Sequence, residues 1–199
     1  MRLTIAALRR RRSRRHNGGV AAVEFGLLAP TFVLVFAGTV TVGDAVAVQT
    51  QLDGAVAAGI NYAIVNQSQV TSSTNSATGN AYAVDLASTI ANLVSTSAGG
   101  NAANVTVVVN NGPTATITSG TLATSGTTSN ANLYYCLTGS PSGWTWGTSA
   151  TGGGGACSGS GTYGKFVTIT ASYSFTPFFN SYTFGLGTTL SVGTAAQVQ

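Results

Sequence analysis

Few residues in this chain have the type and spacing to do chemistry, and the first set is Gly19, Val20, Glu24 and Phe25. They stand where a block of arginines meets a long apolar run, in the string Gly18-Gly19-Val20-Ala21-Ala22-Val23-Glu24-Phe25. The chemistry that suits such a junction is hydrolysis of one peptide bond, with the chain itself as substrate. If the bond between Gly19 and Val20 is cut, Glu24 becomes the fifth residue of the shortened chain, close to a new α-amino group. That amine and a carboxylate on a neighbouring copy would neutralise one another inside a bundle of packed helices. Left unpaired in hydrocarbon, the carboxylate costs on the order of 3 kcal/mol by insertion scales. Apolar packing would supply the attraction, and the ion pair would set the axial register. The alternative for Glu24 is a carboxylate that reaches the headgroups, its charge favoured by the positive end of the helix.

The rest of the chain offers little for catalysis. After Val20 there is no histidine and no arginine, only Lys165 and four carboxylates, Glu24, Asp44, Asp53 and Asp85. Acid–base work needs a positioned titratable pair, and a hydrolytic nucleophile needs a base beside it. Cys136 and Cys157 stand without histidine partners for zinc. Gly152-Gly153-Gly154-Gly155 lacks the following Lys-Ser/Thr and the strand-to-helix setting of a phosphate cradle. The expectation is a structural or assembly protein with no catalytic residue, cofactor or metal. The alternative from another class is an exported adhesion module with a polar, nearly uncharged surface rich in Ser, Thr, Asn and Gly.

The elements that position Glu24 follow from charge and hydropathy. All seven arginines, Arg2, Arg9, Arg10, Arg11, Arg12, Arg14 and Arg15, and the single histidine, His16, precede the junction. The net positive charge therefore belongs to residues 1–19, and the remainder is acidic. With no basic face and no recognition motif beyond the leader, nucleic acid is not an expected partner. Arginines beside an apolar segment hold that end in the cytoplasm. From Phe25 to Gly43 there is no ionisable side chain, and the run from Val20 to Val48 exceeds the roughly 20 helical residues that cross about 30 Å of hydrocarbon. This predicts a membrane span, with Pro30 as a kink or flexible point. Ordinary secretion competes with this reading, because Ala45-Val46-Ala47 fits a small-x-small cleavage site. Against it, the apolar run is about twice the usual 7–15 residues and contains Glu24. Ser13-Arg14-Arg15 matches a twin-arginine signal only weakly.

The glycine, four intervening residues, glutamate and aromatic of Gly19 to Phe25 resemble the class III prepilin-peptidase site of type IV pilins. The longer string from Gly18 to Phe36 is similar to the TadE-like pseudopilins of the tight-adherence pilus system, and Phe166 to Val192 resembles that family's final strands more loosely. The resemblance implies a bacterial minor pseudopilin, cut after Gly19, with Glu24 and Phe25 in the assembly register. It implies as partners a prepilin peptidase, other pilins or pseudopilins including the major pilin, and an inner-membrane assembly platform. It also implies a single-pass inner-membrane location, N-terminus inside and C-terminal domain exported.

Beyond the span, Val48, Leu52, Val56, Ile60 and Ile64 recur at four-residue intervals, which predicts that the helix continues to Val65 as a stalk. Asn66 to Asn80 is a polar connector. Tyr82, Leu86, Ile90 and Leu93 or Val94 predict a second, amphipathic helix over Ala81–Val94 that covers a sheet. After Gly99-Gly100 the period falls to two: Val105, Val107 and Val109 lead into Asn110-Asn111-Gly112-Pro113 and Thr114–Thr118, a hairpin. Phe166–Phe175 predicts a strand with Val167, Ile169, Ala171, Tyr173 and Phe175 on one face. Tyr182, Phe184, Leu186, Leu190 and Val192 form a matching series, connected through Pro177–Ser181. The fold class is α+β: a long N-terminal transmembrane and stalk helix, then a small pilin-like domain with a covering helix and an antiparallel sheet. The domain reading is a basic leader at 1–19, the helix and stalk at 20–65, and an exported domain at 66–199. In an exported domain Cys136 and Cys157 are expected to form a disulfide that closes the glycine-rich loop, with two free buried thiols as the alternative. Trp144 and Trp146 share a face of an extended segment, either as an anchor packing the loop onto the sheet or as a contact patch.

Overall fold

The computed structural model describes residues 17–100, 103–141, 143–159, 161–176 and 189–199. The arginine block, the connector expected at Pro177–Ser181, and Tyr182, Phe184 and Leu186 lie outside the described residues. The chain divides into two compact units, Met1–Gly43 and Asp44–Gln199.

The described part of the first unit is helical. The first helix, α1, runs Asn17–Val65 and contains Pro30 without interruption. Within it Val20, Val23, Phe25, Leu28, Phe32 and Phe36 are exposed, as are Leu27, Val33, Leu34 and Val35. A helix that is apolar all round needs an apolar solvent, and this one is long and apolar enough to cross a membrane, with a window of mean hydropathy 2.1 and no buried share. Two of its hydroxyls are satisfied internally. Thr39 donates to the Val35 carbonyl at 2.9 Å and Thr41 to that of Ala37 at 2.8 Å, which removes the cost of an unpaired hydroxyl in hydrocarbon.

The second unit is an α+β domain of three layers. The C-terminal part of α1 and a second helix, α2 (Tyr82–Ser97), lie on one face of a five-stranded sheet. Its strands are β1 (Ala103–Val109), β2 (Thr114–Thr118), β3 (Thr121–Ser125), β6 (Phe166–Ser174) and β7 (Thr189–Gln197). A separate hairpin, β4 (Tyr134–Ser140) and β5 (Gly143–Ala150), forms a two-stranded sheet. The spatial order is β3-β2-β1-β6-β7 with antiparallel pairing throughout.

Period-two alternation makes the core. Val105, Val107 and Val109 of β1 and Val167, Ile169 and Ala171 of β6 are buried against Leu86, Ile90 and Val94 of α2, each large side chain contributing about 1.5–3 kcal/mol. Val94, and not half-buried Leu93, completes the α2 stripe. The α1 stripe differs from the expected one: Leu52 and Val56 are buried, but Ile64 is exposed, and Ala55, Gly59 and Ala63 take the inner positions. Four-residue steps advance about 40° beyond full turns, so a strict series of that spacing walks off the buried face, and the packed face takes alternating steps of three and four. Gly59 is required there: a β-carbon would lie 2.6 Å from Val94 Cγ2 and 2.9 Å from Ile169 Cδ1.

Turns set the register. Asn110 and Asn111 adopt left-handed φ of 51° and 53° between β1 and β2, as the expected hairpin requires. Ser119 and Gly120, at φ 49° and 80°, form a two-residue turn between β2 and β3, a strand the periodicity did not single out. Tyr173 pairs with Leu190 and Ala171 with Val192, so the last two apolar residues of the series expected opposite β6 do lie across from it. Gly99, at φ 105°, follows α2 and supplies the left-handed stop.

Candidate functional site

Gly19, Val20, Glu24 and Phe25 all lie within the first two turns or so of α1 and are exposed. Helical geometry puts Val20 and Glu24 four residues apart on the same side. Phe25 is 72% exposed, and a β-carbon at Gly19 or Gly26 would meet nothing within 4 Å. Two adjacent glycines, Gly18 and Gly19, precede Val20, each costing about 1 kcal/mol of helix stability relative to alanine. Pro30 has no N–H for the Gly26 carbonyl, one turn further along. The apolar surface around Glu24 and the absence of a core on this part of α1 suit lateral packing against other helices.

Residues 19–60 match the model of the family described as TadE-like protein. The segment is TadE-like. The match begins at Gly19 and takes in Glu24, the span and the first part of α1 that enters the domain core. No curated protein and no solved structure matches the chain. The TadE-like family is a pilus-associated, structural family of the tight-adherence system, and the match covers the segment 19–60.

The second set of reactive residues lies in the domain outside the TadE-like segment. Cys136 and Cys157 form a disulfide with Cα atoms 5.9 Å apart. It joins β4 to the glycine-rich loop after β5. That loop is ordered by backbone hydrogen bonds, with Tyr163 N–H to the Gly155 carbonyl at 2.8 Å and Gly154 N–H to that of Tyr163 at 3.0 Å. Gly153 abuts the Tyr134 ring, where a β-carbon would come within 2.6 Å. Trp144 and Trp146 alternate with exposed neighbours on one face of β5. Trp146 meets the Tyr135 ring edge-on at 5.8 Å, a contact within the β4–β5 hairpin. Among the described residues no group of three or more His, Cys, Asp or Glu is placed to hold a metal.

Three polar residues carry structural roles that the sequence did not reveal. Asp85, in the first turn of α2, accepts from Asn75 at 2.8 Å and Thr78 at 2.9 Å, tying down the connector. Asn110 is fully buried and bonds backbone groups of three residues, Ala131, Leu133 and Phe166. Lys165 is buried, donates to the Val70 carbonyl at 3.3 Å and lies 5.3 Å from the Tyr134 ring centroid. Burial lowers its pKa from the ordinary lysine range. For Asn110, the turn dipeptide was a signal; for Lys165, its isolation between Tyr163-Gly164 and an apolar strand was one.

Proposed function

We propose that the protein is a minor pseudopilin of a tight-adherence pilus, made as a precursor and cut after Gly19 by a prepilin peptidase. Residues 1–19 are the basic cytoplasmic leader, residues 20–65 the membrane helix and its stalk, and residues 66–199 the exported domain. The mature helix joins other pilins or pseudopilins through the inner-membrane platform, with Glu24 paired to a neighbour's Val20 amine and Phe25 beside it. The observation that carries this reading is the start of the TadE-like match at Gly19, the residue before the proposed cut. Support also comes from the unbroken helix through Ala45-Val46-Ala47 and the burial of Ala45, which disfavour an extended signal-peptidase site there.

The test is the N-terminal residue and intact mass of the protein from its native membrane fraction, with and without prepilin peptidase. A peptidase-dependent start at Val20 supports the reading, and Gly19→Ala should abolish that start. A start at Val48 means a secreted domain, and an intact Met1 means an anchored surface protein; either overturns it. Glu24→Ala should leave cleavage largely intact and impair assembly, whereas normal assembly would remove the register role.

A further inference from the structure

The face of the five-stranded sheet turned away from the helices carries hydroxyls in register. Thr106 of β1 pairs with Thr116 and Thr170, and Asn104 pairs with Ser172, which in turn pairs with Ser191 of β7. The β4–β5 hairpin lies over this face. Its turn residue Pro141 sits so close to β7 that a β-carbon at Gly193 would meet the Pro141 carbonyl oxygen at 2.6 Å. Two adjoining clefts remain beneath the overhang. One, of about 320 Å³, is lined by Asn104, Thr106, Ser172 and Ser191. The other, of about 210 Å³, is lined by Trp144, Trp146 and Thr168. Pro141 and Thr170 line both, so the two clefts are neighbours and are together called the trough.

The geometry points to a binding trough for a neutral oligosaccharide. No lining residue of either cleft is ionisable, so nothing offsets the desolvation of a charged ligand. Serine and threonine hydroxyls each donate and accept, as does the Asn104 amide, and this suits a ligand whose own hydroxyls do both. Two indoles at one end provide flat apolar faces for the C–H side of a sugar ring. The Thr170 hydroxyl donates to the Thr106 carbonyl at 3.4 Å, which leaves its lone pairs to accept from a ligand. The trough lies at the small end of ligand sites, about 300–1,000 Å³, and takes a short glycan segment. This inference rests on the domain alone and survives whatever the processing experiment shows.

The test uses the full chain in dimethylamine-oxide micelles, because glycoside detergents would compete. Protein is applied to an array of neutral and anionic microbial, plant and host glycans, and any hit is titrated by tryptophan fluorescence. A neutral hit is expected, weakened about fivefold or more by Trp144→Ala, which removes the indole from the lining, and similarly by Thr170→Val. Ser125→Ala on the exposed edge strand β3 should leave it unchanged. Near-UV circular dichroism shows that each variant keeps its packing. A silent array, a preference for anionic glycans, or neutral binding indifferent to both trough variants would overturn the inference.

Discussion

Gly59 of α1 lies so close to Val94 of α2 that a β-carbon on the glycine would come 2.6 Å from Val94 Cγ2. The contact fixes how near the two helices approach over Ile169 of the sheet. Any side chain at position 59 must displace a β-branched residue that has little rotamer freedom. Overpacking costs about 1–3 kcal/mol and outweighs the few tenths gained from replacing a helical glycine by valine. Gly59→Val is therefore expected to lower domain stability by about 2 kcal/mol in urea unfolding followed by circular dichroism. Gly54, on the same helix, is exposed with nothing within 4 Å of its would-be β-carbon. Gly54→Ala should stabilise by up to about 1 kcal/mol. Equal effects at the two positions would show that the helices do not meet at Gly59.

The same contact shows what the sequence conceals. Large apolar residues on α2, β1 and β6 announce their periods because those elements bury bulky side chains on one face. On α1 the inner positions are Ala55, Gly59 and Ala63, and small residues carry no hydropathy signal strong enough to displace a competing series of Val and Ile. The hairpin β4–β5 was hidden for a related reason: its buried contacts come from aromatic rings, a disulfide and glycines, while most of its residues are exposed. In contrast, the TadE-like segment beginning at Gly19 is legible directly, because its pattern is a spacing along one continuous stretch and not a set of residues brought together by folding.

Asn110 should be among the least replaceable residues of the domain. Its amide donates to the carbonyls of Ala131 at 3.1 Å and Leu133 at 2.5 Å, and its side-chain oxygen accepts from Phe166 N–H at 3.3 Å. Each buried group left unsatisfied costs about 1–3 kcal/mol, so Asn110→Gly is expected to cost about 3 kcal/mol with the turn geometry preserved. Asn110→Ala should cost about 1–2 kcal/mol more, because its φ of 51° is left-handed. A glycine variant as stable as the parent would show that solvent replaces these bonds.

The Cys136–Cys157 bridge spans a sequence separation of 21. Closing a loop of that size stabilises by about 3 kcal/mol through the unfolded chain. Replacing both cysteines by serine should lower the urea midpoint accordingly and make it insensitive to reductant, while the parent loses the same stability when reduced. Because the bridge lies in the hairpin layer, amide exchange should accelerate first in β4, β5 and the loop at 151–164, with β1 and β6 still protected. Uniform acceleration would mean that the hairpin and the helix-covered sheet unfold as one unit.

Lys165 provides a pH signature. Its side chain is 8% exposed, held by the Val70 carbonyl and the Tyr134 ring, and burial lowers its pKa. Between the lowered folded value and the ordinary lysine value of about 10.4, the unfolded chain binds more protons than the folded one. Stability contributed through this group therefore rises with pH across that window, and below it the penalty for the buried charge is constant. Lys165→Met fills similar space without the ammonium and should lack the slope. Urea midpoints of parent and variant measured from neutral pH to about 9.5, short of most tyrosine ionisation, should shift in favour of the parent as pH rises. Parallel profiles would mean that the ammonium reaches water in solution and that Val70 and Tyr134 do not hold it inside.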